Sequence, residues 1–121
     1  MNQTFLDVLK HEGPVTIITV NAAPAHVVNT WMSYVTLQDG ELWIPAAGMH
    51  SIEADFPTDN RVTLTFGSKA VTGTVGPGAG FHVHGRGRFV ASGPAFDAKK
   101  AQFPWLTRLL IVTIDDVEQK I

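Results

Sequence analysis

From Gly13 to Gln38 the chain contains no Asp, Glu, Lys or Arg, and this run restricts the fold more than any other feature. Its length suits a membrane-spanning helix, which needs about 20 consecutive, mainly apolar residues. Pro14, Asn21, Pro24, His26 and Asn29 interrupt it, so the segment is expected to pack as strands inside a globular domain. The N-terminus lacks the basic-then-apolar pattern of a secretory signal. The expectation is therefore a soluble, cytoplasmic protein that makes no membrane contact.

The 121 residues give one domain, 1–121, large enough to bury roughly two thirds of its unfolded surface. The absence of cysteine removes disulfides, thiolate metal sites and cysteine nucleophiles. Nine basic residues against eleven acidic ones lack the basic excess of a nucleic-acid binder. Charged residues make up only 17%, against a typical ~25%, so part of the surface is expected to face a partner subunit or a ligand.

Strands are expected at 15–20, 26–37, 41–46, 61–67, 81–91 and 107–115. The alternation in Arg61-Val-Thr-Leu-Thr-Phe66 turns Val62, Leu64 and Phe66 inward, and Asp39-Gly40 supplies the positive φ of a tight hairpin turn. Leu109–Ile114 is apolar on both faces, which suits an interior strand. Thr4 and Asp7 form a capping-box-like pair opening a short helix that Gly13-Pro14 ends. Further helices are expected at 49–56 and from Pro94 to Phe103, with proline favoured at a first helical position. Six strands with hairpin turns and peripheral helices indicate a small antiparallel barrel.

Four constellations have chemical potential. Asn29-Thr30-Trp31, with Tyr34 nearby, can stack a flat ring and bond its edge, although composition alone favours a core Trp with a hydrogen-bonded neighbour. Alternation puts Asn29 and Trp31 on one face and Thr30 and Tyr34 on the other. In the Pro45–Ser51 stretch, Ala46, Ala47 and Gly48 allow close backbone approach, and the helix start offers free N–H groups to an anion; an ordinary strand-to-helix turn has the same composition. Gly76-Pro-Gly-Ala-Gly80 reads as a flexible connection, since no lysine or βαβ unit accompanies it. His82, His84, Arg86 and Arg88 share one strand face, able to bind an anion or simply solvated. With no third ligand in view, no metal is assigned. No catalytic acid, base or nucleophile is identified either.

Asn29-Thr-Trp31…Tyr34, Gly48-Met-His50…Glu53-Ala54, Gly67-Ser68, Gly76-Pro-Gly-Ala-Gly-Phe81 and Phe103…Trp105 occur in the order and spacing of a known family. The chain resembles the FMN-binding split-barrel superfamily that includes pyridoxamine 5′-phosphate oxidase, and within it the small FMN-binding proteins of sulfate-reducing bacteria. The resemblance implies a six-stranded Greek-key split barrel, dimeric, with FMN at the dimer interface. It implies that Asn29, Thr30 and Trp31 contact the flavin or its ribityl phosphate, and that Tyr34 and Trp105 shield the ring. Ala47, Gly48 and Met49 would present N–H groups to the pyrimidine edge. The helix start at His50 and Ser51 would hold the phosphate, and Ile121 would cap a ring in the neighbouring subunit.

One departure stands out. The family pattern continues Met-His with Lys-Thr, where this chain has Ser51 and Ile52. The lost charge-assisted bond is worth roughly 1.5–3 kcal/mol, so the expectation is weaker FMN binding, compensation by a basic residue such as Arg86, or a different ligand. The functional expectation is an FMN-dependent electron carrier or small oxidoreductase with an unidentified redox partner. The rival is a binding module for another flat cofactor, haem or a deazaflavin.

Overall fold

The β-branched runs pair into one antiparallel sheet in the computed structural model, which describes residues 1–121. The strands are β1 (Pro14–Thr19), β2 (Val27–Trp31), β3 (Thr36–Gln38), β4 (Glu41–Ala46), β5 (Arg61–Thr72), β6 (Pro77–Val90) and β7 (Arg108–Gln119). Three short helices flank them: α1 (Gln3–Val8), α2 (His50–Asp55) and α3 (Pro94–Gln102). The spatial order is β2-β1-β5-β6-β7-β4-β3.

This order dictates the shape. The two edge strands, β2 and β3, are consecutive in sequence and are joined only by residues 32–35. Four linking residues let their ends lie at most ~18 Å apart, whereas seven strands laid flat at about 4.8 Å spacing would separate the edges by ~29 Å. The sheet must therefore roll up until its edges approach, which makes a split barrel.

Seven strands replace the expected six because 26–37 is not one strand. Met32–Tyr34 forms a 3₁₀ turn at which the chain leaves one edge and crosses to the other. Glu12, the last charged residue before the uncharged run, clasps this crossing. Its carboxylate accepts from the Ser33 N–H (3.0 Å) and the Ser33 hydroxyl (2.6 Å), while the Met32 N–H donates to the Gly13 carbonyl (2.8 Å).

The inward residues behave as expected: Val62, Leu64 and Phe66 are buried. Phe5 of α1 plugs the barrel, meeting Phe66 and Phe81 edge-on at 5.4 and 5.3 Å between centroids. The Asp39-Gly40 turn has φ of 51° and 75°, and β7 lies in the sheet interior between β6 and β4. Two local expectations are corrected. The cap of α1 is Asn2, whose side chain accepts from the Phe5 N–H at 3.2 Å, so Thr4 lies inside the helix, which ends well before Gly13. The segment 77–80 is strand rather than loop, since β5 and β6 continue past Phe66 and Phe81 to a turn at residues 73–76.

Candidate functional site

The end of β4 opens into Ala47, Gly48 and Met49 before α2 begins. Met49 takes the position preceding the helix with φ 65° and no side-chain cap. What shapes this loop is Arg108, a residue the sequence reading did not single out. Its side chain is only 15% exposed and lies at the first position of β7, opposite Ala46. Nη1 donates to the Ala47 carbonyl (3.3 Å) and to Thr107 Oγ1 (2.7 Å), and Nη2 donates to the Gly48 carbonyl (2.5 Å). Nη2 also pairs with Glu53 Oε1 at 2.8 Å, and the guanidinium carbon lies 5.1 Å from the Phe89 ring centroid. Buried Nε has no partner. A cation this committed is detectable from sequence only by knowing the strand register.

The N–H groups of Gly48 and Met49 make no internal hydrogen bond, and neither do those of His50, Ser51 and Ile52; the Glu53 N–H is the first in α2 to find a partner, the Met49 carbonyl at 3.1 Å. His50 is exposed and Ser51 half-buried, while Ile52 is fully buried in the core. Position 52 therefore offers a ligand its N–H only. The far end of α2 is closed: Asp55 Oδ2 accepts from Thr19 Oγ1 (2.5 Å) and meets His26 Nδ1 at 2.7 Å. Thr19 first, and then His26, hold the Asp55 carboxyl below its ordinary value.

Tyr34, on the 3₁₀ turn, joins Trp105 (5.3 Å between centroids) and Phe103 (5.3 Å) in an aromatic cluster. Trp105 is 46% exposed, and two residues later Thr107 N–H donates to the Ala46 carbonyl, which sets the cluster beside the 47–49 loop. Lys99 Nζ docks α3 here through Thr36 Oγ1 and Gln102 Oε1, and burial pushes its ammonium pKa down. On β2 the expected alternation holds, with Thr30 facing inward and Asn29 and Trp31 outward. Asn29 Oδ1 accepts from Thr16 Oγ1, and Trp31 is half exposed.

Ile121 is not part of this assembly within one chain. It exchanges backbone hydrogen bonds with Gly80 at the opposite end of β7 from Arg108, on the order of 40 Å along the strand at about 3.3 Å per residue. Arg86 is likewise corrected as the substitute cation. It pairs with Asp115 (2.9 Å) on the outer face shared with His82, His84 and Arg88, and the cation at the start of α2 is Arg108. Apart from Ile121, none of the expected site residues lines a concavity of the single chain.

The split-barrel fold recurs in solved structures of low sequence similarity. HupZ from Group A Streptococcus aligns with a TM-score of 0.77 and 11% identity, over 99% of this chain and 94% of that one. A putative pyridoxamine 5′-phosphate oxidase from Listeria innocua gives 0.66 and 8%, over 97% and 93%. An FMN-binding protein from Syntrophomonas wolfei subsp. wolfei gives 0.66 and 16%, over 88% and 76%. These likenesses establish the fold as a split barrel. No family model matches the chain. In sequence, however, it is 44% identical over 117 residues to the FMN-binding protein of Nitratidesulfovibrio vulgaris (strain DSM 19637 / Miyazaki F), covering 96% of this chain and 95% of that protein. The chain belongs to this family of FMN-binding split-barrel proteins.

Proposed function

We propose that this protein binds FMN on the face formed by Asn29, Thr30, Trp31, Tyr34, the Ala47–Ser51 segment and Trp105, and serves in electron transfer or as a small flavin-dependent oxidoreductase. The observation that carries the reading is the row of unpaired amides from Gly48 into the first turn of α2, set beside an exposed aromatic cluster. The residues fit the group. Amides suit the acceptor-rich pyrimidine edge and the phosphate, and Trp31, Tyr34 and Trp105 suit a flat ring. When bound, the flavin supplies the redox chemistry, while the chain supplies binding, orientation and access.

The exposure of Trp31 and Trp105 on this face supports a homodimer that completes the site. Since Ile121 ends far from its own chain's 47–51 loop, any contact it makes with a ring there comes from a second copy. Titration of the apo-protein with FMN and with riboflavin tests the reading. Tighter binding of FMN, with flavin-type visible absorption, is expected; equal affinity for riboflavin would remove the phosphate site, and a Soret band in the purified protein would replace flavin by haem. Sedimentation at micromolar concentration is expected to show a dimer, and a 13.1 kDa species would overturn that part.

A further inference from the structure

We infer that Arg108 is the positioning residue of the flavin site: by holding the carbonyls of Ala47 and Gly48, it turns the N–H groups of Gly48 and Met49 toward the ligand. This rests on the proposed FMN site and adds a residue to it. In a trans peptide the C=O and the following N–H point in opposite directions within one plane. The Ala47 carbonyl shares its plane with the Gly48 N–H, and the Gly48 carbonyl shares its plane with the Met49 N–H. Arg108 Nη1 and Nη2 draw both carbonyls to the β7 side, so both N–H groups are directed away from it, and neither is bonded within the chain. Two consecutive donors directed away from the guanidinium suit the acceptor edge of a flavin pyrimidine.

The side chain is fixed in this task from every direction. Phe89 lies against the guanidinium, Thr107 takes one hydrogen of Nη1, and Glu53 offsets the charge from α2. Nη1 gives both its hydrogens to the Ala47 carbonyl and Thr107 Oγ1, and Nη2 is engaged by the Gly48 carbonyl and the Glu53 ion pair, so the guanidinium is taken up by the loop and its surroundings. Arg108 acts through loop geometry and does not replace the lysine that Ser51 displaces. The guanidinium holds the two carbonyls from two rigidly spaced nitrogens, a planar geometry that the single nitrogen of a lysine on a flexible stem does not reproduce.

The test compares FMN and riboflavin affinities, and bound-flavin absorption spectra, for the full-length protein, Arg108→Gln and Arg108→Lys. Loss of a charge-assisted clamp is expected to weaken both ligands about 10- to 100-fold. The FMN-to-riboflavin ratio should stay constant, because both carry the same pyrimidine edge, and the absorption bands of the bound flavin should shift. Arg108→Lys should not rescue the loss; if Arg108→Gln does not fold, this variant alone decides. Weakening of FMN with riboflavin unchanged would overturn the inference in favour of a charge acting on phosphate. Unchanged affinities and spectra in a folded variant would overturn it outright. If the unmutated protein binds neither flavin, the proposed function itself fails, which is a separate result.

Discussion

The two ends of α2 are built oppositely. At the C-terminal end Asp55 is fully engaged: its carboxylate serves Thr19 and His26, and its carbonyl accepts from Asn21 Nδ2 at 3.3 Å. Phe56 closes the packing by lying over Gly87 of β6, where a Cβ would come within 2.5 Å of its ring. At the N-terminal end the amides from Gly48 to Ile52 are free, and the nearest strong group, Arg108, grips carbonyls rather than N–H groups. A six-residue helix is too short to be stable by itself. Anchoring it from one end leaves the other available to a ligand without loss of order. The difference separates what holds the fold from what serves binding.

Substitutions at the closed end and beneath the helix should therefore change stability first. Ile52 is fully buried, and Ile52→Ala should cost about 2–5 kcal/mol, read by denaturant unfolding; a loss below this range would mean the helix is not seated in the core. Restoring the family residue by Ile52→Thr should also destabilise without tightening FMN, because the hydroxyl enters the core. Gly87→Ala forces the Phe56 ring to move, and overpacking of this kind costs about 1–3 kcal/mol. Thermal melting of the apo-protein checks it. FMN affinity should change less than stability, since the loop at the other end is held by Arg108.

The closed end also carries a pH signature. The Asp55 carboxyl is held below its ordinary 3.8, mainly by the Thr19 hydroxyl and next by His26. A depressed carboxylate contributes stability that is fully present above its unfolded pKa and lost as pH falls through the folded one. Melting temperature should therefore drop as pH is lowered from about 5 through the carboxylate range, and Asp55→Asn should flatten that drop while lowering stability at neutral pH. A drop of equal steepness in the variant would assign the acid sensitivity to other carboxylates, with Asp59, lowered to about 2 by Arg61, next in line.

Sequence reading captured the barrel because strand faces follow a period of two, visible in Val62, Leu64 and Phe66 and in the row from His82 to Arg88. It ran the two edge strands together because Met32–Tyr34 keeps the composition of a strand. Only the pairing of β2 with β1 and of β3 with β4 reveals the crossing. The loop at Ala47–Met49 was legible from its small residues and from the family pattern. Arg108 was not, since its role depends on the register that sets it opposite Ala46, some sixty residues away in the chain. Arg86 drew attention instead because it sits in a visible row, yet its partner Asp115 already neutralises it.

The smallest expected effect sharpens the contrast most. Ser51 stands where the family pattern has lysine and is partly exposed, so a new ammonium there would be screened by water. Exposed ion pairs contribute about 0–1 kcal/mol, which limits the gain in FMN affinity from Ser51→Lys to about fivefold. The gain should appear with FMN only, because riboflavin lacks the phosphate, and should shrink as salt is raised. Arg108 variants are expected to move both ligands together, so the pair of experiments separates a charge that meets the phosphate from a clamp that shapes the loop. A riboflavin affinity that rises with FMN in Ser51→Lys would mean that the substitution reshapes the loop and that the two roles are not separable at this end of the helix.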